Sequence, residues 1–343
     1  MSQKYNIAVV GATGNVGKEI LSILEERNFP INNLYLLASS NSKGQKINFK
    51  DQELLVEDLS EFDFTKVQIG LFSPGGSVSS QFAPKAAASG CIVIDNTSFF
   101  RMEKNVPLII PEVNADSLDE FFENKQRSNI ISNPNCSTIQ MLVALKPLHD
   151  VAIINRIVVS TYQSVSGSGK EGMDELFNQT QGIYANKIME KNKFTKQIAF
   201  NAIPHIDSFV ENGNTKEEEK MINETKKILN KNIKISATCV RIPVFISHSE
   251  SINIEFDSPL SVKKATELLK NFESISVVDH RKDEGYVTPV EAAGEDKVYV
   301  SRIRVDQSVD NGLNIWVVSD NLRKGAALNA IQIAEVLIKK YSQ

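Results

Sequence analysis

Apolar and polar positions change rhythm along the chain. Over residues 5–132 short apolar runs alternate with segments of helical spacing, the pattern of a parallel α/β sheet. It predicts strands at Tyr5–Val10, Leu34–Ala38, Val67–Phe72, Cys91–Ile94, Leu108–Ile110 and Ile130–Ser132, with helices over 15–27 and 77–89. Near residue 150 the runs lengthen and alternate with period two. They predict strands at Ile157–Val165, Ile233–Ile242, Ser251–Phe256, Val298–Val305 and Leu313–Ser319. Helices near 169–181, 215–230 and 261–272 separate them, which suggests an antiparallel sheet with helices on one face. Residues 323–342 read as an amphipathic helix whose stripe is Ala327, Ala330, Ile331, Ala334, Leu337, Ile338 and Tyr341. From its pattern alone it can close either half. The fold class predicted is therefore α/β, a Rossmann-type parallel-sheet domain plus an α+β domain of mainly antiparallel sheet.

Composition narrows the function classes. A chain of 343 residues fits two domains of ordinary size. Its net charge of −4, with no cluster of Lys or Arg, provides no basic field for nucleic acid. No apolar run approaches the ~20 residues that span a bilayer, and MSQKYNIAVVGATG leads directly into a strand with no signal-peptide pattern. Cys91, Cys136 and Cys239 are far apart and odd in number, which suits a reducing cytoplasm and argues against a disulfide framework. His149, His205, His248 and His280 are scattered, so no metal centre is expected.

The sharpest chemical signal is Ser132-Asn133-Pro134-Asn135-Cys136-Ser137-Thr138, which joins a strand-like run to a helix-like one. Pro134 fits neither interior. Cys136 therefore falls near a helix N-terminus, where unpaired N–H groups and the dipole favour a thiolate. Two readings stay open here, a nucleophile or a small core thiol. Gly11-Ala12-Thr13-Gly14-Asn15-Val16-Gly17 follows the first strand and opens a helix, the context of a pyrophosphate-binding turn. The next strand ends in Ala38-Ser39-Ser40-Asn41-Ser42-Lys43-Gly44 with no acid. Hydroxyls and a lysine there suit a 2′-phosphate and lean toward NADP, or form a solvated loop. A second glycine turn, Ser73-Pro74-Gly75-Gly76, ends another strand, where ligands bind in open sheets.

Several residues could complete a thiolate site. His248, between polar neighbours, reads as a proton carrier on a turn or as a solvated surface group. Arg241 and Arg101, each among apolar residues, fit a doubly anionic substrate or a structural ion pair. Period two puts Arg241 and His248 on opposite faces of one strand, so the chain must turn between them if both face one site. Thr215 and Glu218 form a capping-box pattern. In that helix Glu217 and Lys220 can serve a substrate or make a rim salt bridge. Tyr162-Gln163-Ser164-Val165-Ser166-Gly167-Ser168-Gly169 ends a strand in a turn that allows close backbone approach, with Gln163 able to orient a carbonyl.

Together these segments resemble the aspartate-β-semialdehyde dehydrogenase family over essentially the full length. The carrying motifs are GATGNVG (11–17), SFFRM (98–102), NPNCST (133–138), TYQSVSGSG (161–169), EEEKMINETKK (217–227), RIPVFISH (241–248) and SDNLRKG (319–325). The resemblance implies NADPH-dependent reduction of β-aspartyl phosphate to aspartate β-semialdehyde with release of phosphate. That product leads to lysine, threonine, methionine and diaminopimelate. It implies Cys136 as nucleophile, His248 as acid/base and Gln163 as the residue orienting the intermediate. It assigns the substrate carboxylate to Arg241 with Glu217, and the phosphate to Arg101, Asn135 and Lys220. Gly11, Thr13, Gly14, Asn15, Val16, Ser39, Ser42, Ser73, Gly75, Gly167 and Asn321 are assigned to the cofactor. It further implies domains of 1–132 plus 323–343 (NADP-binding) and 133–322 (catalytic and dimerisation), a homodimer or homotetramer, and the cytoplasm. Two departures stand out: Asn41 where the family commonly has an arginine for the 2′-phosphate, and Pro74 where a small residue is usual. The nearest rival, N-acetylglutamyl-phosphate reductase, typically has glycine after the proline, where this chain has Asn135. A non-catalytic NADP-sensing regulator would have no use for Cys136, Gln163, His248 and two arginines together.

Overall fold

The computed structural model describes residues 3–124, 128–186 and 191–340; Tyr341 of the predicted C-terminal stripe lies outside them. The chain divides into two compact units, residues 1–135 with 326–343, and residues 136–325.

The first unit runs β1 (Tyr5–Val10), α1 (Asn15–Glu26), β2 (Ile31–Ala38), β3 (Lys46–Phe49), β4 (Gln52–Asp58), β5 (Ile69–Phe72), α2 (Gly76–Ala88), β6 (Ile92–Asp95), α3 (Pro111–Asn114), α4 (Ser117–Glu123) and β7 (Ile130–Ser132). Its sheet has the order β3-β4-β2-β1-β5-β6-β7, parallel except for the β3–β4 pair. The central strand, β1, is apolar and buried from Ile7 to Val10 because both faces are covered. Ile7 and Val9 pack with Ile20, Ile23 and Leu24 of α1, whereas Ala8 and Val10 share a cluster with Ala83 and Ala86 of α2. The C-terminal segment supplies Ala330, Ile331, Ala334 and Leu337 to the α1 face. The β3–β4 hairpin escapes the apolar pattern because it is a half-exposed edge rich in charge.

Leu108–Ile110 is not a strand. Only Leu108 forms a bridge, to Ser132. Asn114 captures the backbone on either side, accepting from Ile110 N–H at 2.9 Å and donating to Leu108 O at 2.9 Å. Pro107 and Pro111, which lack donors, confine the pairing further.

The second unit runs α5 (Cys136–His149), β8 (Ile154–Gln163), α6 (Gly169–Tyr184), α7 (Lys216–Ile228), β9 (Lys234–Arg241), β10 (His248–Phe256), α8 (Val262–Lys270), β11 (Ile275–Val277), α9 (Pro289–Ala292), β12 (Val298–Asp306) and β13 (Gly312–Ser319). The sheet order is β11-β12-β13-β10-β8-β9. Its three inner pairs are antiparallel and its two outer pairs parallel. Helix α5 is buried all round from Ser137 to Leu145, as expected of a helix held between a sheet and other helices. The predicted helix over 323–342 starts later: Arg323–Ala327 form a wide π turn and α10 spans Leu328–Lys340.

Candidate active site

In the first unit the glycine loop makes a turn with no room for a side chain at Gly11 or Gly17. Gly11 has φ +84°, and a Cβ on it would lie 2.6 Å from Ser73 O; one on Gly17 would lie 2.2 Å from Gly11 O. Helix α1 opens after Gly14, which offers no side-chain cap, so its first turn faces outward as an anion cradle. A cavity of about 450 Å³ is lined by Gly11, Thr13, Gly14, Ser39, Asp58 and Ser73, among others. These features fit the phosphates and ribose of a dinucleotide. Asn15 and Val16 form the first helical turn, Ser42 ends a 3-10 turn after Ser39, and Gly75, at φ +94°, caps α2.

An acid does face this cavity, although none lies in the segment after β2. Asp58 ends β4, directly opposite Ala38 of β2. Its Oδ1 accepts from the backbone and hydroxyl of Ser60 at 2.9 and 2.7 Å. Lys43, the cation expected for a 2′-phosphate, is paired with Glu61 at 2.5 Å, which raises its pKa. Strand order brings these acids in, so no local pattern could announce them.

Arg101 is buried and anchored on backbone, with Nε donating to Asn133 O at 2.9 Å and Nη2 to Asn96 O at 2.8 Å. It thus holds the turn that carries Asn135, itself buried, and leads into Cys136.

In the second unit Cys136 is the first residue of α5 and is partly exposed, unlike the fully buried Cys91 and Cys239. The core-thiol reading fits those two instead. Burial pushes the Cys91 thiol up to about 12 and Cys239 higher still. Gly325 presses against Cys136: a Cβ on the glycine would lie 2.8 Å from Cys136 Cβ.

Gln163, at the end of β8, donates from Nε2 to Ser137 Oγ at 2.9 Å and to Glu217 Oε1 at 3.2 Å. Glu217 is buried and pairs with Lys220 at 3.0 Å, and Lys220 also meets Asp207 at 2.9 Å. The pair is thus a salt bridge with a partly exposed ammonium and a buried carboxylate, and the carboxylate also braces Gln163 beside Ser137. Burial opposes the Lys220 ammonium, but Glu217 and Asp207 outweigh it and raise its pKa.

His248 is neither on a turn nor solvated; it is the fully buried first residue of β10. Arg241 ends β9, and β8 runs between the two strands. The facing problem disappears because the residues belong to different strands of one sheet. A Cβ on Gly167 would lie 3.3 Å from Arg241 Nη1 and 3.5 Å from His248 Nε2. The missing side chain keeps the space between guanidinium and imidazole open. Arg241 Nη1 donates to Ser164 O at 2.6 Å. Burial lowers the Arg241 pKa, while Glu217 and Cys136 act to sustain its charge. Burial, reinforced by Arg241, holds His248 neutral, with a pKa of about 3. Its Nε2 has no hydrogen-bond partner among the described residues.

Three groups have no role assigned from the sequence: Ser164 and Ser166, within the turn noted after β8, which meet Asn321 at 3.0 and 3.1 Å, and the fully buried Glu250 on β10. Burial raises the Glu250 pKa well above the usual value, with Gln140 and Ser137 opposing. Among the described residues no group of His, Cys, Asp and Glu is arranged to hold a metal ion, and no helix is long and apolar enough to cross a membrane.

Residues 6–121 match the family model "Semialdehyde dehydrogenase, NAD binding domain", and residues 145–324 match "Semialdehyde dehydrogenase, dimerisation domain". The chain is 51% identical over 341 residues to an aspartate-semialdehyde dehydrogenase of Rickettsia bellii, covering 99% of this chain and 100% of that one. A crystal structure of aspartate semialdehyde dehydrogenase II from Vibrio cholerae, complexed with ASA, aligns with TM-score 0.96 at 48% identity, covering 99% and 100%. The enzyme from Candida albicans, solved with NADP, aligns with TM-score 0.76 at 25% identity over 98% of each chain. The chain thus belongs to the aspartate-semialdehyde dehydrogenase family, oxidoreductases with a nicotinamide-dinucleotide-binding domain and a dimerisation domain.

Proposed function

We propose that this enzyme reduces β-aspartyl phosphate to aspartate β-semialdehyde and releases inorganic phosphate, with NADP(H) as cofactor and the dimer or tetramer as its working form. The observation that carries the proposal is the surround of Cys136: a partly exposed thiol at a helix start, with Gln163 bonded to the adjacent Ser137 and Arg241 electrostatically coupled to the thiolate. A redox reaction of a phosphorylated acid needs a nucleophile that accepts acyl from phosphate and later releases it as aldehyde.

Cys136 attacks the acyl carbon, the C–O bond to phosphate breaks, and a thioester remains on sulfur. Helix α5 and Arg241 favour the anionic sulfur at the start and end of the cycle. Gln163, fixed by Ser137 and Glu217, holds the acyl oxygen. Arg241 takes the substrate carboxylate, with Glu217 setting its charge environment. Arg101, Asn135 and Lys220 take the phosphate. When bound, the reduced nicotinamide supplies the hydride that converts thioester to thiohemiacetal. His248 serves the oxygen of that species as the C–S bond breaks and the aldehyde departs.

The NADP reading rests on Ser39 and the hydroxyl-rich end of β2. Asn41, Asp58 and the Lys43–Glu61 pair weaken the preference over NAD. The test is phosphate-dependent reduction of NADP by aspartate semialdehyde, run beside N-acetylglutamate semialdehyde. Turnover confined to the first aldehyde and abolished in Cys136→Ala is expected. Activity with the second alone, or retained by Cys136→Ala, refutes the proposal.

A further inference from the structure

Apart from the backbone of the preceding Ser247, which acts to raise the ring's pKa, the hydrogen bonds around the His248 ring converge on one nitrogen. Ser164 N–H donates to Nδ1 at 3.1 Å. A backbone N–H can only donate, so Nδ1 holds a lone pair and the proton of the neutral ring sits on Nε2. The tautomer is assigned from this geometry.

A polar chain behind Ser164 points the same way. Ser247 N–H donates to Asn321 Oδ1 at 2.9 Å, which fixes the amide orientation. Asn321 Nδ2 then donates to Ser166 Oγ at 2.9 Å. Ser166 lies 3.0 Å from Ser164 Oγ, and Ser164 Oγ lies 3.0 Å from Nδ1. The protons can therefore run from Asn321 through both serines onto Nδ1. If the Ser164 hydroxyl turns instead to Asn321 Oδ1, at 3.0 Å, its N–H still occupies Nδ1 and the tautomer is unchanged. All four groups are buried, so water does not compete for these bonds.

We infer that Ser164, Ser166 and Asn321 are positioning residues that lock His248 as the neutral Nε2–H tautomer. His248 then acts as a hydrogen-bond donor to the oxyanion on the Cys136-bound carbon, and not as an imidazolium or a base. This rests on the reading of Cys136 and His248 given above. As the thiohemiacetal oxyanion collapses, the oxygen lone pair re-forms C=O, the C–S bond breaks and its electron pair returns to sulfur. The proton stays on Nε2, and no net transfer is needed. Protonating Nδ1 would set one N–H against another. The charged groups facing the ring, Arg241 from β9 and Glu217 from α7, act on it in opposite directions, and burial leaves it neutral.

The test is long-range nitrogen–proton NMR on the intact enzyme with labelled histidine, His248 being assigned by comparison with His248→Asn. A lone-pair Nδ1 and a protonated Nε2 are expected, unchanged from about pH 6 to about pH 8, the range in which an ordinary histidine titrates. Ser164→Pro removes both donors but suits the site, since φ is −66° and proline requires about −65°. It should move the proton to Nδ1 and lower kcat more than tenfold with KM for phosphate unchanged. Ser164→Ala, which keeps the N–H, should keep the tautomer and lower kcat by no more than about tenfold, the worth of one neutral hydrogen bond. A wild-type His248 found as Nδ1–H or imidazolium overturns the inference. So does a folded Ser164→Pro enzyme with unchanged spectrum and kcat. If that variant does not fold, the wild-type spectrum and Ser164→Ala decide. A wild-type enzyme inert toward aspartate semialdehyde would refute the activity and leave the tautomer measurement standing.

Discussion

Glu250 gives stability a pH dependence that one substitution should remove. It is fully buried on β10, two residues beyond His248, and the neutral Gln140 and Ser137 are the side chains that act on its carboxyl. Burial raises its folded pKa well above the ordinary glutamate value, so the folded protein holds a proton that the unfolded chain releases. The stabilisation is complete below the unfolded pKa and declines as pH rises toward the folded one, by about 1.4 kcal/mol per pH unit. His248 has the opposite slope: its folded pKa is lowered to about 3, so it costs stability only as pH falls below its unfolded value of about 6.5. The His248 slope is common to wild type and a Glu250 variant, so the difference between the two proteins isolates the Glu250 slope. Glu250→Gln mimics the protonated acid and should flatten it, even if an unsatisfied amide costs about 1–3 kcal/mol uniformly. Urea unfolding at fixed protein concentration, from about pH 5 to about pH 7, just above the ordinary glutamate pKa, can follow Trp316, the single tryptophan, which packs on Tyr162 within the second unit. Parallel stability curves for wild type and Glu250→Gln would refute the reasoning.

Other substitutions test separate parts of the site. Asn41→Arg should raise the NADP-to-NAD ratio of kcat/KM by about tenfold or more, since a charged hydrogen bond to phosphate contributes about 1.5–3 kcal/mol; an unchanged ratio would exclude residue 41 from the 2′-phosphate. Lys220→Met should raise KM for phosphate about tenfold, about 1.4 kcal/mol, with KM for the cofactor unchanged, and equal rises in both would point to general misfolding. Gly325→Ala places a Cβ 2.8 Å from Cys136 Cβ, and should reduce kcat more than tenfold in a folded enzyme; full activity would show that the helix start is free to shift.

What could be read in the chain was whatever is encoded locally. The glycine turn, the break at Pro134 and the capping box at Thr215 are each made by contiguous residues, and each appears in the structure where the chain places it. The spacing of Glu217 and Lys220 foretold their contact but not its use, because the glutamine they brace comes from the end of β8. His248 was misleading for the same reason. Its serine neighbours look solvated in one dimension, yet β10 is an inner strand flanked by β8 and β13, so even its polar start is sealed. Asp58 reaches the cavity beside the glycine turn only because β4 inserts beside β2, an order that neither strand's own residues specify.

The same distinction explains why the chemistry proposed for Cys136 can be read from the sequence while the groups proposed to control it cannot. A nucleophile needs a local context, a helix start and an exposed thiol, and seven consecutive residues supply it. Setting a ring tautomer or an amide orientation requires donors that approach from several directions in the absence of water. Around His248 these come from Ser164 after β8, Ser247 before β10 and Asn321 after β13. No periodicity links positions 164, 247 and 321, and each alone is an ordinary polar residue in a turn. Only the register of three adjacent strands makes them one device, so the side chains that react can be read from the sequence before those that govern how they react.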